Sequence, residues 1–284
     1  ASDVYKRQGY ELSVNWRDRI HDFRYHIGFN LAYAKNKIVF QDEVPYPYDY
    51  MRKTGKPVGQ QMGYKYDGFF SEEDVAKYET ERGKSIPDHG TGYIPKPGDV
   101  KYKDLNNDHK IDQYDVAAIG YPVYPLLTGG INLGFSYKGF DFSMTWSGAT
   151  KVSRLLDDIF REPFGATDSR SLMKYMIDDM WTPEKGNSAK APAISFTNKV
   201  NNYRDSDLWL RDASYLRLKN VEIGYNFPKK ILSKINIGSL RVFATGYNLL
   251  TLDKLKIVDP ESRPNGNAMY PVVMVINMGL KVGF

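Results

Sequence analysis

"FRYHIGFNLAY", residues 23–33, puts Phe23, Tyr25, Ile27, Phe29, Leu31 and Tyr33 on one side of the chain and Arg24, His26, Gly28, Asn30 and Ala32 on the other. That two-residue period is the period of a strand and not of a helix. One side is apolar, the other polar or small. Upstream, "YELSVNW" (10–16) repeats the pattern with Tyr10, Leu12, Val14 and Trp16 opposite Glu11, Ser13 and Asn15, and the polar run 17–22 joins the two.

The same alternation recurs downstream. Ile131, Leu133, Phe135 and Tyr137 alternate with Asn132, Gly134 and Ser136; Lys138 and Gly139 supply a tight turn; Phe140, Phe142, Met144 and Trp146 then alternate with Asp141, Ser143 and Thr145. A third hairpin begins in "SYLRLKNVEIGYNF", where Tyr215, Val221, Ile223, Tyr225 and Phe227 are expected to face one way, and returns through "LRVFATGYNLL", whose facing does not follow a clean alternation. The last strand runs from Tyr270, with Val272, Met274, Ile276, Met278, Leu280, Val282 and Phe284 on one face.

Short turns near 18–22, 138–139 and 228–237 alternate with long segments at 35–123, 149–207 and 251–269. Short turns on one side and long loops on the other are the rhythm of outer-membrane barrels. Strands of about ten or more residues suit a tilted crossing of a bilayer, whereas those of soluble domains usually run to about five or six. Tyrosine is abundant, 22 residues beside 14 Phe, and gathers toward strand ends, where an interfacial girdle belongs. The expected fold class is therefore all-β: about seven antiparallel strands, with long extracellular loops carrying short helices. Seven strands are too few for a transporter barrel, for which 22 is the typical large count, so residues 9–284 are read as the C-terminal portion of a longer barrel whose plug and first strands lie elsewhere. Residues 1–8, "ASDVYKRQ", match nothing downstream and are set apart as a non-native lead-in.

Composition narrows the function. With no cysteine there is neither a disulfide framework nor a thiolate site. The net charge of +5 is spread among acids without the basic clusters that follow a phosphate backbone, which argues against nucleic acid. No apolar run is long enough for a transmembrane helix. A barrel is untouched by that test, because alternating strands keep mean hydropathy low.

"DLNNDHKIDQYD" (104–115) asks for a different explanation. Counted from Asp104, side-chain oxygens fall at places 1, 3, 5, 9 and 12 (Asp104, Asn106, Asp108, Asp112, Asp115), with the Lys110 carbonyl at place 7 and Ile111 at place 8. This is EF-hand spacing, and a chain coiling round Ca²⁺ presents alternate residues to an ion that takes six to eight hard oxygens. His109 stands at the turn where Gly is usual, and Asp115 where a bidentate Glu is usual. A calcium ion here would act as a structural brace on a long loop; the alternative is an Asx-rich turn that binds nothing.

The chain's end, "NMGLKVGF", carries Asn277, Gly279, Val282 and a terminal Phe284, and it resembles the signal by which outer-membrane barrels reach their assembly machinery. That signal places the C-terminus on the periplasmic side. The segments at 97–148, 181–192 ("WTPEKGNSAKAP"), 214–228, 244–252 ("ATGYNLLTL") and 258–262 ("VDPES"), taken in order, resemble the C-terminal portion of SusC/RagA TonB-linked outer-membrane transporters. The resemblance implies a plugged barrel energised by the TonB complex in the outer membrane of a Bacteroidetes-like bacterium. It also implies capping by a SusD-like lipoprotein and import of a glycan or, in some members, a peptide.

Other side chains suggest no chemistry. Asp157, Asp158 and Glu162, and Asp178 and Asp179, lie in stretches expected to form short loop helices with the acids in water. Trp181, Trp209, Tyr46 and Tyr48 are candidates for stacking on sugar rings, or else for packing loops together. No catalytic constellation is present. A soluble calcium-braced carbohydrate-binding or adhesion domain is the rival reading, since the same apolar faces could instead pack a core; a glycan-cleaving enzyme would need two carboxylates set across a cleft.

Overall fold

The computed structural model describes residues 3–156, 158–164, 171–195, 197–261 and 272–284. Seven long strands form one antiparallel sheet in sequence order: β1 (Val4–Ile20), β2 (Phe23–Phe40), β3 (Leu127–Tyr137), β4 (Phe140–Thr150), β5 (Tyr215–Asn226), β6 (Ser239–Asp253) and β7 (Val275–Gly283). Hairpin turns fix the register. Lys138 and Gly139 both adopt positive φ, 45° and 93°, as a two-residue turn between β3 and β4 requires.

Register carries the sequence alternation into rows across the sheet. Trp16, Ile27, Leu133, Met144 and Val221 pair in succession from β1 to β5, and so do Val14, Phe29, Ile131, Trp146 and Leu218. The polar side shows the complementary row Arg17, His26, Gly134, Ser143, Glu222, Thr245 and Asn277. A one-residue slip anywhere would invert both faces.

The apolar face has no second layer over it among the described residues. Tyr10 is 82% exposed, Trp16 58%, Ile223 52% and Met278 86%. Contiguous apolar surface on this scale is rare on a water-soluble monomer. Aromatic rings close the band at both ends. Near the short turns Phe23 meets Phe135 at 5.5 Å, Phe135 meets Phe142 at 5.4 Å, and Phe140 meets Tyr225 at 4.5 Å. Near the long connections Tyr10 pairs with Tyr33. From Tyr25 to Tyr33 the strand runs nine residues, within the roughly 9–11 that a tilted strand needs to cross a bilayer.

The dry core lies elsewhere. Phe69, Val100, Tyr102, Ile111, Leu156, Tyr203, Leu208, Trp209 and Leu255 form one buried cluster, and every one of them comes from a long connection. Three short strand pairs (Gln61–Gly63 with Ala117–Ile119, Tyr66–Phe69 with Val100–Tyr102, Ser153–Leu155 with Leu210–Asp212) and helix α1 (Glu72–Glu81) frame it. Ser71 caps α1 in a reciprocal box with Asp74.

Val4–Gln8 continue β1 and pair with β2 between Lys35 and Phe40. Several expectations need correction. Tyr215 does not share a face with Val221: the ladder shifts between Leu218 and Asn220, and this bulge turns Tyr215 to the polar side beside Arg217. The unclear facing of β6 has its reason in Phe243, which lies on the polar face over Gly279, where any Cβ would strike its ring. Residues 153–155, expected to be helical, pair as a strand, while Asp158–Arg161 and Lys174–Asp179 are helices as expected. Asp157 and Tyr270 lie outside the described residues.

Leu133→Arg, on the apolar face, is expected to lower bilayer stability by about 2–4 kcal/mol, whereas Ser136→Arg on the polar face should cost less than about 1 kcal/mol. Urea unfolding in lipid vesicles reads both.

Candidate functional site

The long connections converge on a loop body that carries the acidic loop, a buried polar network and an ion-pair latch onto β5. In the acidic loop, the oxygens turn mainly to backbone amides. Asp104 accepts from the N–H of Asn107 and of His109, both at 2.7 Å; Asp108 accepts from the Lys110 N–H at 2.9 Å; Asp112 accepts from the Tyr114 N–H at 2.8 Å. Asn106 donates from Nδ2 to Asp108 at 3.0 Å. Asp115 is fully buried, and its two oxygens accept from the N–H groups of Leu105 (2.7 Å) and Asp112 (2.9 Å). Burial raises the Asp115 carboxyl above the usual range, and the like charges of Asp104 and Asp112 raise it further.

His109 takes φ 61° at the place where the turn needs a left-handed residue, so a side chain other than Gly is accommodated there. Asp88 pins the loop's centre from both sides: the Ile111 N–H donates to the Asp88 carbonyl at 2.8 Å, and the Asp88 N–H donates to the His109 carbonyl at 2.8 Å. The residue types suit a hard cation. Their arrangement is an Asx-turn ladder, and among the described residues no three acidic or histidine side chains are grouped as a metal site.

Beside the loop, Tyr48 stacks on Tyr50 (5.3 Å, 6° between planes) and meets Tyr114 edge-on at 6.4 Å. The Tyr50 hydroxyl donates to the Tyr114 carbonyl at 2.7 Å. Its phenol is pushed up to about 12, first by burial and then by charges that include Asp115, Asp104 and Asp108.

The two longest connections are joined through buried polar groups. Asn202, with no exposure, accepts from the Val100 N–H at 2.9 Å and donates to Asp99 at 2.6 Å; Asn201 donates to the Val100 carbonyl at 2.8 Å and faces His89 Nδ1 at 3.0 Å. The Tyr102 hydroxyl donates to the Asn201 carbonyl at 2.7 Å. Every member has a partner, which is what makes a buried network rigidify a structure instead of weakening it. Burial holds the His89 imidazole down at about 4.

A second cluster ties the third connection to β5. Arg217, 1% exposed, reaches Asp259 at 2.5 Å, Glu261 at 2.5 Å and the Thr251 hydroxyl at 2.9 Å. Lys219 reaches Glu261 at 2.6 Å, and the Tyr215 hydroxyl donates to the same carboxylate at 2.9 Å. The bulge in β5 is what puts Tyr215 within reach. Lower on the polar face Arg241 joins Glu222 at 2.6 Å and also contacts Asp141.

The ring candidates divide. Trp209 is 1% exposed and its Nε1 donates to the Asn202 carbonyl at 3.0 Å, so it is a core residue and offers no face to a sugar. Trp181 is half-buried against the same cluster, close to Gly98 and Ala191. Tyr46 and Tyr48 are half-buried, Tyr48 within its tyrosine group. Asn277, Gly279 and Val282 lie in β7 opposite Thr245, Phe243 and Leu240, and Phe284 ends the chain 99% exposed. Sequence reasoning missed Asp99, Asn201 and Asn202, which carry no pattern, and also the latch, of which only the "VDPES" half stood out.

No family model matches the chain. Among curated proteins it is similar to TonB-dependent receptor P3 of Formosa agariphila, 28% identical over 309 residues that cover 98% of this chain and 29% of that protein. It is also similar to TonB-dependent receptor SusC of Bacteroides thetaiotaomicron, 25% identical over 97% of this chain and 26% of that protein. Among solved structures it is similar to the RagAB peptide importer in the open-open state, with TM-score 0.73 and 20% identity over 99% of this chain and 29% of that one. The class that the sheet and its loops define is a segment of a large β-barrel wall, and the sequence is similar to that of TonB-dependent receptors. Within that class the chain resembles the SusC/RagA kind, in sequence and in fold, and it spans less than a third of the length of these relatives.

Because folded His89 stays neutral down to about pH 4 while the unfolded residue protonates near 6.5, acidification through that window favours unfolding. The loop body is expected to keep its full stability above pH 6.5 and to lose up to about 3 kcal/mol by pH 4. Hydrogen exchange of the Val100 amide reads this, and His89→Gln should flatten the slope.

Proposed function

We propose that this chain forms part of the wall and outer loops of an outer-membrane, TonB-dependent importer of a glycan, acting with a SusD-like surface lipoprotein. The observation that carries the reading is the single-layered sheet whose apolar rows meet no second layer among the described residues, together with a dry core built from the long connections. Such a chain needs hydrocarbon against the sheet and water at the short turns. Asn277, Gly279, Val282 and Phe284 on the final strand would serve the barrel assembly machinery, and energy would come through the TonB complex. The glycan follows from the SusC/RagA resemblance of the sequence segments; the likeness to the RagAB peptide importer favours a peptide as the second reading.

Deleting the gene in its host and measuring uptake of labelled oligosaccharides and oligopeptides tests the proposal. Loss of oligosaccharide uptake alone is the expected result. Loss of peptide uptake alone supports the second reading, and unchanged uptake of both opposes import.

Asp104, Asn106, Asp108, the Lys110 carbonyl, Asp112 and Asp115 are proposed to take up Ca²⁺ once the carboxylates turn from the backbone amides toward a common centre. The ion would then offset the repulsion around buried Asp115. At 100 times its Kd, Ca²⁺ should stabilise the loop body by about 2.7 kcal/mol, read as a rise in unfolding midpoint that EDTA reverses and an Asp104→Asn/Asp108→Asn variant lacks. Superimposable curves with and without Ca²⁺ would remove the brace.

A further inference from the structure

The apolar face carries a groove. Register places Leu31, Gly129, Gly148 and Leu216 in one row from β2 to β5, so two glycines stand side by side where neighbouring rows carry large side chains. Phe29 and Ile131 wall the groove on the side of the short turns and Leu127 on the side of the long connections, and the lining is almost wholly apolar. The gap is not easily filled from within: a Cβ on Gly129 would lie 2.9 Å from the Asn30 carbonyl oxygen, and one on Gly148 would lie 2.7 Å from that of Tyr215.

Directly beyond the groove, on the long-connection side, the same face turns cationic. Lys151 holds its ammonium 5.5 Å from the centre of the Tyr33 ring. Lys35 and Lys37 follow Tyr33 at two-residue steps and so share its face. All three are exposed, and none has a carboxylate within salt-bridge distance among the described residues. Nor does the apolar side of β2, β3 or β4 hold a single acid. A narrow oily slot capped by three unpaired ammonium groups matches an amphiphile with an acyl chain at one end and phosphate at the other.

We propose that this surface binds a phosphorylated, multiply acylated glycolipid of the outer leaflet, with one acyl chain in the Gly129–Gly148 groove and phosphate against Lys35, Lys37 and Lys151. The spread of the lysines over two strand ends suits a broad sugar-phosphate headgroup better than the single phosphate of a glycerophospholipid. The leaflet follows from the proposed membrane orientation, on which this site rests.

The test is native mass spectrometry of the membrane-inserted protein, extracted in non-ionic detergent and titrated separately with purified lipid A and with phosphatidylglycerol. Lipid A should be retained at least about tenfold more strongly than phosphatidylglycerol. That preference should vanish in the Lys35→Gln/Lys37→Gln/Lys151→Gln variant, whose changes are all on the surface, and binding should also fall in Leu127→Trp, which fills the groove. Protein that inserts into bilayers but binds both lipids alike, or a triple variant that keeps the preference, overturns the site alone. Protein that does not insert overturns the membrane reading and the site with it.

Discussion

The structure depends on what touches the apolar side of the sheet. In water, rows such as Trp16, Ile27, Leu133, Met144 and Val221 would keep a large oily surface hydrated at a cost of roughly 25 cal/mol for each Å². Nothing in the described chain relieves that cost, because the buried cluster is built from other residues. Hydrocarbon against that face would relieve it, and would also account for the rings at both margins and for strands longer than a soluble sheet needs.

That constraint divides the molecule into two parts held by different physics. The sheet is fixed by its ladder, by register and by its solvent. The loop body is stabilised as a soluble domain is, by a dry cluster around Trp209 and by polar groups that satisfy one another around Asn201 and Asn202. The Arg217 cluster fastens one to the other, since a β5 guanidinium clasps carboxylates of the third connection. Buried ion pairs of this kind are poor evidence of net stability, but removing one partner leaves an uncompensated charge, so the latch fixes position more than it adds strength.

How much was legible in the sequence follows from the range of each interaction. All seven strands could be read because a two-residue period is local, and the acidic loop because its spacing is. The facing of Tyr215 was misread because a bulge leaves no local mark, and that of Phe243 was unclear because the room for its ring comes from Gly279, 36 places along the chain. Ser71 and Asp74, three places apart, are a local mark of the start of α1. Trp209 stood open to either sugar stacking or loop packing, because an aromatic in a loop is ambiguous until burial is known. Its partners Asn201, Asn202 and Asp99 meet only in the fold, and no pattern of spacing announces them.

The most direct test of the account is the environment of alternate residues along β3. Nitroxides placed singly at Asn132, Leu133, Gly134 and Phe135 in protein reconstituted into lipid vesicles report contact with dissolved oxygen or with a water-soluble nickel chelate. The account predicts oxygen-dominated relaxation at Leu133 and Phe135 and chelate-dominated relaxation at Asn132 and Gly134. Chelate access at Leu133 and Phe135, or shielding of both from either reagent, would contradict it.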